Sequence, residues 1–139
     1  MRYELTVFGH PVGKGRPRFT RNGHTYTPEA TREYEKEVRL TFMSCYPKGI
    51  ALEDPVRAEV VAFFAIPKSY SKKKKQACLN NEIPVQNKPD CDNIAKIILD
   101  SLNGYAYIDD KQVIELHVVK MWSDMPRVEV YIEEVWTNE

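Results

Sequence analysis

KPDCDNIAKIILDSLNGYAYIDDKQV, Lys88 to Val113, is the stretch from which the rest of the chain is read. It holds five aspartates, Asp90, Asp92, Asp100, Asp109 and Asp110. After Pro89 the backbone is expected to be extended, so Asp90 and Asp92, two apart, should point to one side and Cys91 to the other. Ile94, Ile97, Ile98 and Leu102 then follow helical spacing, with Asn93 or Asp92 as a suitable N-cap and Gly104 where the helix should stop. The acidic pair therefore stands at a helix mouth. Lys96 is four residues after Asp92 and four before Asp100, which sets the three along one stripe away from most of the isoleucines. Past the helix, Asp109 and Asp110 open a turn-like DDKQ, and the short link from Tyr105 to Ile108 is expected to return one of them to the first pair.

Three or four carboxylates in one place repel each other, and one must take up a proton unless a cation intervenes. Aspartate oxygens without histidine or paired cysteine suit Mg²⁺, with Mn²⁺ as its substitute, far better than zinc. A calcium loop fits poorly, because Ile94 would occupy its fifth position and Ala95 its sixth, where glycine is required. A reading without chemistry has Asp90 and Asp92 capping the helix, Asp100 paired with Lys96 and DDKQ as a solvated turn. Which of Asp109 and Asp110 faces the pair is open at this level.

The same residues resemble the signature of the RusA family of Holliday junction resolvases: K-P-D-x-D-N, a lysine four residues after the second aspartate, an aspartate near the helix end, a glycine, and then D-D-x-Q-V. The resemblance implies that Asp90, Asp92 and Asp110 bind the metal and that Lys96 is the essential lysine; beside it, Asp109 and Asp100 are expected as support residues, one shaping the turn and the other orienting Lys96. It extends more loosely to PVGKGRPRFTRNGHTYTP near the start. Cys91 stands where an aliphatic residue is more usual, and a buried cysteine behaves as a small hydrophobe. The resemblance further implies a homodimer acting on branched DNA, bacterial or phage-encoded and cytoplasmic.

With 139 residues, 42% hydrophobic and 29% charged, the chain has the length and composition of one globular domain, 1–139, RusA-like by the resemblance. No apolar run approaches the ~20 residues of a membrane span, so no membrane partner is expected. Cys45, Cys78 and Cys91 are spaced for neither a disulfide frame nor a zinc site. Twenty basic and 20 acidic residues cancel, which argues against uniform attraction to nucleic acid. Their distribution argues otherwise. Lys14, Arg16, Arg18 and Arg21 lie in a stretch without acids, where Phe19 and Tyr26 are available to stack on bases, and Lys72, Lys73, Lys74 and Lys75 form a second cluster. Both are candidate DNA contacts. The acids gather toward the other end, as Glu129, Glu133, Glu134 and Glu139.

Tyr3, Leu5 and Val7 alternate with polar neighbours and predict a strand with one buried face. His10 to Thr27 has too many glycines and prolines for regular structure and reads as an arm. Thr27-Pro28 starts a helix whose stripe is Tyr34, Val38, Phe42 and Cys45. Val56, Ala58, Val60, Ala62, Phe64 and Ile66 line one face of a central strand, and SYSKKKKQACLNN is a short basic helix or a loop. Ile114, Leu116 and Val118, then Val128, Val130 and Ile132, predict two last strands joined as a hairpin. The fold expected is α+β, a mixed, largely antiparallel sheet packed by two main helices. The function expected is a Mg²⁺-dependent endonuclease that resolves four-way junctions by paired nicks; a non-catalytic junction-binding protein or a small-molecule phosphohydrolase are the alternatives. Two opposed cuts from a chain with one acidic cluster call for a C₂ dimer, with the hairpin from Ile114 to Trp136 as a candidate surface.

Overall fold

The computed structural model describes residues 1–135. In chain order its elements are β1 (Arg2–Phe8), β2 (Arg18–Phe19), β3 (Thr25–Tyr26), α1 (Glu29–Cys45), β4 (Val56–Ala65), α2 (Lys72–Leu79), α3 (Cys91–Ser101), a 3₁₀ turn (Asp110–Gln112), β5 (Val113–Ser123) and β6 (Arg127–Glu134). The main sheet has the order β1-β6-β4-β5. Two of its three pairings are antiparallel and β4–β5 is parallel, so the expected α+β class with a mixed sheet holds.

Alternation decides which face is covered. Tyr3, Leu5 and Val7 of β1, Val56 to Phe64 at every second position of β4, and Val128, Val130 and Ile132 of β6 are buried on one side. Onto them pack Tyr34, Val38 and Phe42 of α1 and Ile94, Ile97 and Ile98 of α3, in one core cluster. The helical stripe of α1 ends at Phe42, because Cys45 is exposed. The opposite face of the sheet is open and ion-paired, with Arg57 between Glu115 and Glu133 at 3.2 and 3.5 Å.

The expected hairpin of β5 and β6 does not form. β6 lies between β1 and β4, while β5 pairs with the far side of β4 and is the sheet's edge. The geometric reason is that β1 and β4 run in the same direction and leave a slot one strand wide between them. Asp124 to Pro126 need only carry the chain across the end of β4, about 10 Å at two strand spacings, to fill that slot antiparallel to both. A bulge between Val56 and Arg57 also breaks the register of β5 beside Ile114. Leu116, Val118 and Trp122 consequently share the helix side of β5 and Ile114 does not belong to that row.

The arm between β1 and α1 is more ordered than its composition suggests. Arg18 pairs with Tyr26 and Phe19 with Thr25, and the turn closes through Thr20 N–H to His24 O at 2.7 Å, with Gly23 at φ +78°. Gly23 supplies the left-handed conformation that such a tight turn needs. The lysine run resolves as a helix, capped by the Ser71 hydroxyl, which accepts from Lys74 N–H at 3.2 Å.

Candidate functional site

The mouth of α3 is built differently from the extended pair that the sequence suggests. Asp90 itself is the N-cap, its carboxylate accepting from Asn93 N–H at 3.1 Å, and the helix starts at Cys91. Asp92 therefore sits within the first helical turn. Neither Asn93 nor Asp92 serves as the cap, because Asp90, in extended conformation, already reaches the third amide. Two carboxylates at this end also complement the helix dipole. Both are exposed, as is Lys96 one turn on, and Lys96 has no acidic partner among the described residues.

Asp100, at the other end of α3, does not pair with Lys96. Its partner is Lys14 of the arm, whose ammonium stands 3.2 Å from Asp100 and 3.1 Å from Glu35 of α1. Burial works against the Lys14 charge, but hydrogen bonds and the fields of Glu35 and Asp100 outweigh it and raise its pKa. Lys14, expected on the DNA-facing surface, is thus largely occupied inside the protein.

Asp110 also comes to this end. Its amide donates to Asn103 Oδ1 at 2.8 Å, and its carboxyl lies within the field of Asp100. Burial first, then the neighbouring Asp109 and Asp100 charges, hold its pKa above the ordinary carboxylate value, while Asn103 acts in the opposite sense. Asp109 is committed to the turn: it accepts from Lys111 N–H at 2.9 Å, and Gln112 returns the bond to the Asp109 amide in a capping box. The local sequence distinguishes the two aspartates only once this cap is formed, and it leaves Asp110 with the freer carboxyl.

Asp92 and Asp100 are eight residues apart, about 12 Å along the axis. Asp90 and Asp92 accordingly mark one end of α3, and Asp100 with Asp110 the other. Among the described residues no three His, Cys, Asp or Glu side chains are gathered closely enough to enclose a metal ion. The all-oxygen donor set still fits a hard divalent ion in the way Mg²⁺ is commonly held, by one or two carboxylates with water and substrate phosphate completing the shell.

Beside the mouth lies a cleft of about 570 Å³ lined by Gly13, Lys14, Arg16, Lys88, Asp90 and Asn93, among others. The arm forms one wall because Lys14 N–H donates to Asn93 O at 2.9 Å and Gly15 N–H to Thr31 Oγ1 at 3.1 Å. This approach requires Gly13: a Cβ there would lie 2.7 Å from Pro89 Cβ and 3.1 Å from Asn93 Cβ. Arg16 and Lys88 bring positive charge to the same cleft as the Asp90 carboxylate. Lys88 escaped the sequence reading, although its place directly before Pro89 and Asp90 is the signal that identifies it.

Beyond the cleft, Arg18, Phe19, Arg21 and Tyr26 are exposed on the β2–β3 hairpin. The second basic cluster is α2, where Lys72, Lys73 and Lys74 are exposed, Lys75 is partly covered, and Lys74 sits over the Tyr70 ring at 3.8 Å. The segment after α2 runs along β5 from Trp122, which donates to Ile83 O at 2.8 Å, to the level of Val118 beside Cys91. Four strand residues, about 13 Å, separate those anchor points. The arm thus borders the acidic mouth directly, while the lysine helix lies farther along β5, toward Trp122. Among the described residues no helix is long and apolar enough to cross a membrane.

Residues 9–133 match the family described as Endodeoxyribonuclease RusA. The chain is also 40% identical, over 137 residues covering 95% of it and 96% of the relative, to the uncharacterized protein YqaN of Bacillus subtilis (strain 168). With nearly its whole length matched and the acidic helix mouth inside the match, the chain belongs to the RusA endodeoxyribonuclease family.

Proposed function

We propose that the protein is a Mg²⁺-dependent endonuclease that resolves four-way DNA junctions by paired, symmetric nicks in the bacterial cytoplasm. The observation that carries this reading is the acidic mouth of α3 opening into one cleft with the basic arm and Lys88, with the lysine helix α2 farther along the same edge of the sheet. Polyanionic DNA guided by the flanks brings a phosphate to the aspartates, which by themselves would repel it.

Asp90 and Asp92 are assigned as the carboxylates that would hold an ion at the mouth, and Asp110 as a metal-binding carboxylate standing apart from them at the other end of α3, with Asp100 and Asp109 in support. A bound divalent ion would polarise the scissile phosphate and acidify a water molecule. The chain's own part is electrostatic and positional. Lys96, exposed on α3 without an acidic partner among the described residues, is free to lie beside the phosphate and offset the charge that grows in the transition state. Arg16 and Lys88 hold the adjoining backbone in the cleft, Arg18 and Arg21 extend the track, and Phe19 and Tyr26 offer faces to unpaired bases. Four lysines in the first turn of α2 oppose the helix dipole, at roughly 0.3–1 kcal/mol each at low salt. A bound polyanion relieves that repulsion.

Junction resolution needs two cuts, and one chain supplies one acidic mouth. We assign the second to a second copy of the chain in a C₂ dimer. The hairpin surface considered from sequence does not exist as such, Trp122 is buried, and Trp136 lies outside the described residues. The outer edge of β5, accompanied by the segment after α2 only from Val118 to Trp122, is the better candidate, with Ile114, Leu116 and Val119 at 66%, 43% and 44% exposure.

One observation favours a second reading, a junction-binding protein without catalysis: Asp90 and Asp109 both serve as caps, and no three-carboxylate cage is formed among the described residues. A cleavage assay separates the two. Nicking of a four-way junction with Mg²⁺ and none with Ca²⁺, lost in Asp92→Asn, supports the nuclease; tight junction binding without cleavage in Mg²⁺ or Mn²⁺ supports the binder.

A further inference from the structure

Lys14 is the one cation of the arm that turns inward. Its side chain is 19% exposed, Glu35's is 11% and Asp100's is 29%, so the ammonium lies between two partly buried carboxylates drawn from two helices. Its backbone amide is bound to Asn93 O at the mouth of α3, and the next amide, of Gly15, is bound to Thr31 on α1. One residue therefore ties the arm, α1 and α3 together. The geometry at its tip matters for the site, because the Asp100 held there is near enough to Asp110 for its charge to act on that carboxyl. Without the ammonium, Glu35 and Asp100 would face each other uncompensated and Asp100 would have no reason to stay at this spot.

We propose that Lys14 is a positioning residue of the nuclease site: its ammonium fixes Asp100 beside Asp110 and pins the arm across the mouth of α3, and it takes no DNA phosphate itself. This rests on the nuclease reading above and assigns Lys14 a role different from that of Arg16 and Arg18. The ammonium donates a hydrogen bond to Glu35 and is ion-paired with Asp100 at 3.2 Å, so it is already engaged on two sides. Moving it to a phosphate would leave both acids unpaired in a partly dry seam.

The test compares Lys14→Met, which keeps the aliphatic stem, with Lys14→Arg and with Arg16→Gln. Hydrogen exchange of the metal-free protein is the first readout: the Lys14 and Gly15 amides should lose protection in Lys14→Met and keep most of it in Lys14→Arg. Junction binding over a salt series is the second. Lys14→Met should retain the wild-type slope, whereas Arg16→Gln should flatten it by about 0.9, one phosphate contact. Single-turnover cleavage at saturating junction is the third, with an expected loss of roughly 10–100-fold in Lys14→Met, the usual cost of removing a support behind a ligand, and substantial recovery in Lys14→Arg. A slope flattened by one unit with amide protection intact would make Lys14 a phosphate contact and overturn the proposal, as would an unchanged single-turnover rate. A wild-type protein that cuts no junction would remove the nuclease reading, and this role with it; an active wild type with an unaffected variant would remove only the role.

Discussion

Apart from the small favourable effect of Asp92 on the helix dipole, Asp92 and Lys96 carry no structural duty: neither caps the helix nor pairs with a charged neighbour among the described residues. Asp92→Asn and Lys96→Ala should therefore leave the unfolding midpoint close to wild type while cleavage falls on the order of 10²–10³-fold, the usual cost of losing one charge-stabilising group. Junction binding measured in Ca²⁺ is the control, and full nicking by Asp92→Asn would refute the assignment. Asp110 behaves differently, because burial and its acidic neighbours raise its pKa. A carboxyl with a raised folded-state pKa weakens the fold once the pH is above that value, and the penalty fades as the pH falls toward the ordinary carboxylate range and both states hold the proton. In metal-free buffer Asp110→Asn should thus melt slightly higher than wild type at pH 7 and no higher at pH 3, a comparison that calorimetry makes directly.

Among the elements, α3 has two jobs divided between its faces. Ile94, Ile97 and Ile98 are fully buried against the sheet, and the opposite stripe presents Asp92 and Lys96. Ile98→Ala should cost about 2–5 kcal/mol in urea unfolding, with cleavage by the remaining folded fraction little changed. The arm separates these quantities in the reverse sense. Gly13→Ala forces a Cβ against the Pro89 ring, which cannot swing aside, so the arm must lift from the helix mouth. Overpacking of this kind costs about 1–3 kcal/mol, and here it acts on the arm's docking more than on the core. Cleavage and junction affinity should fall while the main unfolding transition stays in place. A Gly13→Ala protein with wild-type affinity would show that DNA does not follow this arm.

At the scale of the whole molecule, charge is divided between two faces. The open face of the sheet carries Glu4, Glu59, Glu115, Glu129 and Glu133, partly offset by Arg2, Arg57 and Arg127. The arm and α2 lie on the helix side and along the β5 edge, which gives a neutral chain a one-sided attraction for DNA. Replacing Lys72 and Lys73 with glutamine should weaken binding to all junctions alike and flatten the salt slope by up to about two contacts at 0.9 each. Assembly is tested at the same scale. Sedimentation should give a dimer that Val119→Glu splits without unfolding, since a charge on an exposed edge opposes strand addition. A mixed dimer of wild type and Asp92→Asn should nick one strand and fail to resolve the junction.

The sequence alone determined what depends on neighbours along the chain. Period-2 alternation located β1, β4 and β6, period-3.6 spacing located α1 and α3, and the residue order of Lys88 to Val113 marked the acidic helix, because these patterns arise from local backbone geometry and the demand to bury one face. Only the tertiary structure decided what depends on residues far apart. It inserted β6 between β1 and β4 instead of beside β5, because the slot between two like-directed strands is not written in either strand. It turned Lys14 from a presumed DNA contact into the partner of Glu35 and Asp100, 21 and 86 positions away, because the seam of two helices is where its ammonium finds two carboxylates. It also set Asp110 beside Asp100 at the end of α3 rather than at its mouth, since the capping box of Asp109 and Gln112 and the Asn103 bond fix where that turn can sit.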